Sequence, residues 1–166
     1  MGASGWQYFV LYQSDIQKAL DELRAQVFQS GKYYIGEPVW QNMDESEYDE
    51  YPEEDMREEL KEWLRRMKSM KEPVTIEDLL EWNGEEGTHS ILDIKSISVE
   101  PDFGTISSLS PEELISAFGT HKPTKTMVQQ KADELMDLRE RWQGTYVVVY
   151  KDGLPDEIYI TGFSGD

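Results

Sequence analysis

The sequence contains no cysteine and only two histidines, His89 and His121, among its 166 residues. These absences exclude disulfide frameworks, thiolate zinc sites, cysteine nucleophiles and any histidine-rich metal centre built from this chain alone. We therefore predict that the protein uses no metal and no other cofactor. A chain without cysteine suits a reducing compartment, and we expect it in the cytoplasm.

Long hydrophobic runs are also missing. No stretch approaches the roughly 18 apolar residues of a transmembrane helix. The first ten residues, MGASGWQYFV, lack the basic region and apolar core of a signal peptide. We therefore predict no association with a membrane.

Positive charge is scarce, because 16 Lys and Arg residues stand against 34 Asp and Glu residues and give a net charge of −18. Nucleic acids and anionic membranes would repel such a chain, so we expect neither as a direct partner. Where electrostatics steer association, they favour a basic protein as the partner.

The negative charge is concentrated between residues 44 and 62, which hold eleven acids and only two bases. This segment carries nine of the 18 net negative charges. Apolar residues at helical spacing predict that its second half belongs to a helix over residues 52–71, whose first turn is acidic and whose last turn is basic. Part of the charge therefore serves the ends of a helix.

What the chain does contain is enough apolar sequence, 38% of its residues, for one globular domain spanning residues 1–166. Alternating or continuous apolar runs predict four strands, at residues 6–12, 88–99, 145–150 and 157–163. Further helices are predicted between a Ser14 cap and a Gly31 stop, and over residues 75–82, 110–118 and 124–141. The expected fold is α+β, with a mostly antiparallel sheet of about four strands and helices packed on it.

Both ends of the chain carry the pattern Gly-x-Ser-Gly, at residues 2–5 and 162–165. Antiparallel pairing of the first strand with the last would bring these two segments together. We state this neighbourhood as a hypothesis about topology.

The stretch at residues 32–55 is irregular, acidic and rich in aromatic residues. Tyrosine and tryptophan are favoured at the centres of interfaces, so aromatic residues beside dense charge favour a contact surface. We predict a non-enzymatic binding protein, similar to an immunity protein, inhibitor or antitoxin, that occupies a basic surface of a partner. The predicted contact residues are Trp40, Asp44, Glu45, Glu47, Tyr48, Asp49, Glu50, Tyr51, Glu53, Glu54 and Asp55.

The alternative is a small hydrolase or transferase built on the loop at residues 84–93, which combines glycines, acids, hydroxyls and a histidine. Its candidate catalytic residues are Glu86, Thr88, His89, Ser90 and Asp93. If residues 88–94 are extended, His89 and Asp93 lie about 13 Å apart and cannot form a hydrogen-bonded dyad. A third hypothesis is a homo-oligomer that uses the face carrying Trp6, Tyr8 and Tyr12.

Three segments, GASGWQYFVLYQSDIQKALDELRAQVF, EEGTHSILDI and PDEIYITGFSGD, resemble an uncharacterised family of small bacterial proteins. The resemblance covers about a third of the chain and leaves out its acidic middle. It implies that the segments around His89 and at the two ends belong to the fold or to a shared role. It implies no activity.

Overall fold

The computed structural model describes residues 4–165, which form two compact units. The sheet unit combines two separate parts of the chain, Met1–Tyr34 and Glu85–Asp166. The helical unit is formed by the intervening segment, Ile35–Gly84. No helix within the described residues is both long enough and apolar enough to cross a membrane.

The sheet unit contains a five-stranded mixed sheet in the order β1-β5-β4-β3-β2. The strands are β1 (Gly5–Leu11), β2 (Ser96–Ser98), β3 (Thr105–Ser108), β4 (Gln143–Lys151) and β5 (Leu154–Phe163). β5 pairs antiparallel with both β1 and β4, whereas β3 pairs parallel with both β4 and β2. The expected α+β combination of helices and a sheet is therefore confirmed. The sheet has five strands instead of about four, and it is mixed, with two antiparallel and two parallel strand pairings.

The difference arises in the middle of the chain. The strand predicted over residues 88–99 is reduced to β2, because residues 91–93 form a 3-10 turn in which Ser90 accepts a hydrogen bond from the backbone N–H of Leu92. β3 has only four residues and no long alternating pattern, and the sequence analysis missed it. Both strands are short, so neighbouring strands rather than local sequence determine them.

The two ends of the chain are neighbours, as the topological hypothesis requires. β1 and β5 pair over their whole common length, from Gly5 opposite Phe163 to Leu11 opposite Glu157. Beyond the strand, the backbone N–H of Ser164 donates to the carbonyl of Ser4 at 2.9 Å. Gly2 and Ala3, the first residues of the N-terminal pattern, lie outside the described residues.

Helices pack onto the sheet within this unit. α1 (Ile16–Ser30) lies against the 91–93 turn and β2, begins at an Asp15 cap rather than at Ser14, and ends at Gly31 with a φ of 67°. An apolar cluster is enclosed by α4 (Pro111–Phe118), α5 (Lys125–Gln130) and α6 (Ala132–Met136). That cluster is formed by Leu109, Phe118, Val128, Leu135, Val147, Val149 and Tyr159.

Trp6 is a structural residue of β1. It is only 4% exposed, and its indole lies across Gly162 of β5 and Gly144 of β4, which follow it in register across the sheet. On the face carrying Trp6, Tyr8 and Tyr12, Trp6 is therefore buried, Tyr8 is half-buried and Tyr12 is exposed, and the homo-oligomer hypothesis loses its main aromatic residue.

The helical unit contains α2 (Glu54–Ser69) and α3 (Ile76–Asn83), preceded by two 3-10 turns, Val39–Asn42 and Glu45–Tyr48. Its core consists of Trp40, Tyr48, Leu64, Met67 and Trp82. The Trp82 indole donates to the carbonyl of Gly36 at 2.9 Å, and the Asn83 side chain accepts from the N–H of Gly36 at 2.9 Å. These bonds attach the irregular segment to α3. Gly36, Trp40 and Tyr48 are buried, whereas the other residues between 32 and 55 are exposed or half-buried.

Candidate functional site

The predicted catalytic loop folds around the carboxylate of Asp93, which is only 2% exposed. One carboxylate oxygen accepts from the backbone N–H of Thr88 at 2.7 Å, and the other accepts from the Ser164 hydroxyl at 2.6 Å. We call Thr88, Ser90, Asp93 and Ser164 the Asp93 cluster.

The remaining groups of the Asp93 cluster complete a buried network. The hydroxyls of Thr88 and Ser90 lie 2.8 Å apart, and both residues are at most 1% exposed. Hydroxyls that are buried and hydrogen-bonded in this way are closed to a substrate. The arrangement holds the loop in place instead of presenting a nucleophile.

His89 and Glu86 lie on the outer side of the same loop and share Tyr34 as a neighbour. The His89 ring stacks on Tyr34 with 4.3 Å between centroids, and the Tyr34 hydroxyl donates to the Glu86 carboxylate at 2.9 Å. His89 has a φ of 54°, which is uncommon for a residue with a side chain. Since the loop turns here, the extended geometry that underlies the separation of about 13 Å between His89 and Asp93 does not apply.

Ser164, a member of the Asp93 cluster, and Gly87, which lies against Asp93, are not among the residues predicted for this site. A methyl group at Gly87 would lie 2.9 Å from a carboxylate oxygen of Asp93, and Gly87 has a φ of 69°, so a glycine is required there on both counts. The cluster thus joins the central segment to the C-terminal segment, and Ser164 in turn bonds to Ser4. The N-terminal, central and C-terminal segments meet at this place, and their repeated glycines and serines are the signal that the sequence offers.

Burial raises the pKa of the Asp93 carboxyl above its ordinary value of 3.8, while hydrogen bonds from Ser164 and Thr88 and the charge of His89 oppose the shift. The native state therefore binds the proton of the Asp93 carboxyl more tightly than the unfolded chain does, because in the unfolded chain this carboxyl has its ordinary pKa. The resulting stabilisation is complete below the unfolded pKa and is lost as the pH rises through the folded pKa.

We therefore expect the free energy of unfolding of the wild type to fall, relative to that of Asp93→Asn, as the pH rises through this window. Urea unfolding of both proteins between about pH 3 and pH 7 measures the difference. The asparagine variant lacks the titrating group and is the matched control. A difference that stays constant with pH would contradict the expected shift.

The second candidate site is the acidic segment, which belongs to the helical unit. The 50 residues of this unit hold 16 acids and six bases, which gives a net charge of −10. The other 116 residues of the chain carry a net charge of −8. The helical unit thus has by far the higher density of negative charge.

Four of the predicted contact acids have structural tasks. Asp44 and Glu47 form a capping box at the second 3-10 turn, Glu45 pairs with Arg65 at 2.5 Å, and Asp49 pairs with Lys61 at 2.5 Å. Hydrogen bonds from Ser46 lower the pKa of Asp44, and the hydrogen bond from Arg65 lowers the pKa of Glu45. Glu45 and Asp49 are thus paired with bases of α2, whereas Asp44 and Glu47 cap the turn.

Two of the three predicted aromatic anchors are not on the surface. Trp40 and Tyr48 are 5% and 7% exposed, and Trp40 packs edge-to-face against Trp82 with 4.8 Å between centroids. The expectation that they anchor a partner is therefore corrected, because their apolar area completes the small core of the helical unit. Tyr51 is 42% exposed and keeps a surface position.

The other four predicted contact acids form an exposed surface together with three further acids of α2. None of them makes an ion pair with any residue between 4 and 165. At 100° per residue, those on α2 fall within an arc of about 140°, beside the buried stripe. We call this set the acidic face, and it consists of Glu50, Glu53, Glu54, Asp55, Glu58, Glu59 and Glu62.

No protein-family model, curated protein sequence or solved structure matches the chain. Within residues 4–165, no three histidine, aspartate or glutamate side chains come together in a way that would hold a metal ion. The chemistry of the two candidate sites is therefore inferred from their own geometry and charge.

Proposed function

We propose that the protein is a non-enzymatic acidic binding protein, of the kind represented by immunity proteins, inhibitors and antitoxins, and that it occupies a basic surface of a partner protein in the cytoplasm. The observation that carries this proposal is the acidic face. Its carboxylates are exposed and unpaired within the described chain, whereas the neighbouring acids at residues 44–49 are used in caps and ion pairs.

Exposed like charges on one helix are unfavourable for the isolated protein, because neighbouring carboxylates repel one another. Glu53, Glu54 and Asp55 lie at the positive end of the α2 dipole, and the favourable effect fades within the first turn. A basic partner would relieve the repulsion farther along the helix. Such a surface also accelerates association at low salt and fixes the orientation of the partner.

Catalysis by Glu86, Thr88, His89, Ser90 and Asp93 is the weaker alternative. Thr88 and Ser90, which would supply the nucleophile, are buried and hydrogen-bonded within the Asp93 cluster. We therefore favour binding over a hydrolase or transferase reaction.

The test is affinity capture of the partner by the tagged protein at about 50 mM and about 500 mM salt, with identification by mass spectrometry. We expect a basic protein that is retained at low salt and lost at high salt. Replacing Glu50, Glu53, Glu54 and Asp55 together with lysine is expected to weaken binding at least tenfold, since each exposed pair contributes about 0.2–1 kcal/mol and reversal adds repulsion.

The matched control reverses four exposed acids of the sheet unit, Glu100, Asp133, Asp137 and Glu140, none of which has a side-chain hydrogen bond or ion pair with a described residue. Both variants change the net charge by the same amount, and a thermal melt checks that both are folded. Equal loss of binding in the two variants, or full binding by the first, would reject the acidic face as the contact surface.

A further inference from the structure

A shallow cavity of about 290 Å³ lies on the surface of α2. It is lined by Glu59, Glu62, Trp63 and Arg66, whose spacing of three, four and seven residues places them on one side of the helix. Glu59 and Glu62 belong to the acidic face, and Trp63 is the only aromatic residue among the four that line the cavity. The cavity therefore places acids of that face beside an indole.

The four lining residues differ in what they offer to a ligand. Trp63 is half-buried and packs against the core of the helical unit, so that its remaining surface forms part of the cavity wall. Arg66 forms an ion pair with Glu81 of α3, which compensates its charge. Glu59 and Glu62 are exposed and form no ion pair within the described chain, so the cavity presents two carboxylates beside an indole.

We propose that this cavity receives an arginine side chain of the basic partner; the inference rests on the proposed function and specifies its contact. A guanidinium is planar and weakly hydrated, so it stacks on an indole and donates hydrogen bonds to carboxylates in the same arrangement. A lysine ammonium is compact and strongly hydrated, and it uses only the charge. Arginine therefore matches the combination of Trp63 with Glu59 and Glu62 better than lysine does.

The experiment titrates the full-length ¹⁵N-labelled protein with the peptide acetyl-Gly-Arg-Gly-amide at low salt. The signal is the indole N–H resonance of Trp63, which Trp63→Phe identifies. Peptides with lysine or with neutral citrulline in place of arginine are the comparison probes. We expect a saturable shift of the Trp63 resonance with arginine, a smaller shift with lysine and none with citrulline.

Two double variants with the same change of charge separate the cavity from a general loss of negative charge. Glu59→Gln with Glu62→Gln is expected to weaken arginine binding about tenfold, through loss of both carboxylates beside the ring. Glu100→Gln with Glu140→Gln lies in the sheet unit, outside the acidic face, and is expected to change it less than about twofold.

A Trp63 resonance that does not move, or that moves equally with lysine or citrulline, would overturn the inference. So would equal weakening by the two double variants. The proposed function still holds after such a result if the capture of the partner remains sensitive to salt and is lost in the variant that combines Glu50→Lys, Glu53→Lys, Glu54→Lys and Asp55→Lys. The proposed function itself is rejected if the capture of the partner changes neither with salt nor with those four substitutions.

Discussion

Asp93→Ala is expected to lower the free energy of unfolding by about 4 kcal/mol, because it removes a buried acceptor and leaves its donors without partners. The backbone N–H of Thr88 and the hydroxyl of Ser164 both donate to this carboxylate at under 3 Å. Each unsatisfied buried group costs about 1–3 kcal/mol.

Urea unfolding at neutral pH measures this loss. Ser164→Ala removes one donor and leaves the carboxylate bonded to Thr88, so we expect a smaller loss of about 1–2 kcal/mol. Asp93→Asn keeps the shape and one acceptor oxygen, and it should lie close to the wild type. An alanine variant within 1 kcal/mol of the wild type would show that the Asp93 cluster does not hold the loop and the C-terminal segment together.

Gly162→Ala is expected to destabilise the protein by about 3 kcal/mol through overpacking in the centre of the sheet. A methyl group at this position would lie 2.6 Å from the Trp6 indole and would also collide with the backbone carbonyl of Gln143. The adjacent Gly144 has the same relation to Trp6, at 2.7 Å. The two glycines form a flat platform for the indole, and neither position has room for a side chain.

A double-mutant cycle with Trp6→Ala checks the cause. Removing the indole relieves one of the two collisions, so Gly162→Ala should cost about 1 kcal/mol less in the Trp6→Ala background than in the wild type. Chemical unfolding gives the free energies, and near-ultraviolet circular dichroism reports the packing of the indoles. An identical cost in both backgrounds would assign the whole effect to the carbonyl of Gln143.

Several elements follow from local sequence alone. The capping box at Ser110, with Pro111 next to it, starts α4 as predicted, and Thr75 caps α3. The strands predicted over residues 145–150 and 157–163 are β4 and β5, which pair as an antiparallel hairpin. In each case the signal and its structure lie within a few residues of each other, so no distant contact is needed to interpret them.

The strand predicted over residues 88–99 is wrong for most of its length, because contacts with distant residues determine the structure there. Residues 88–93 have the composition of a strand, but Asp93 bonds back to Thr88 and across to Ser164, a residue 71 positions away. The same holds for the predicted anchors, since burial of Trp40 depends on Trp82 of α3. Side chains that satisfy each other over such distances leave no periodic pattern.

The sequence by itself determined the net charge, its concentration in one segment and the chemistries excluded by the lack of cysteine, because these are sums over residues that no fold alters. It also determined most helix ends, which depend on adjacent side chains. Only the tertiary structure decided which acids are consumed in caps and ion pairs and which form the acidic face. Only the tertiary structure enclosed Asp93 among Thr88, Ser90 and Ser164, because burial and pairing are properties of residues brought together from distant parts of the chain.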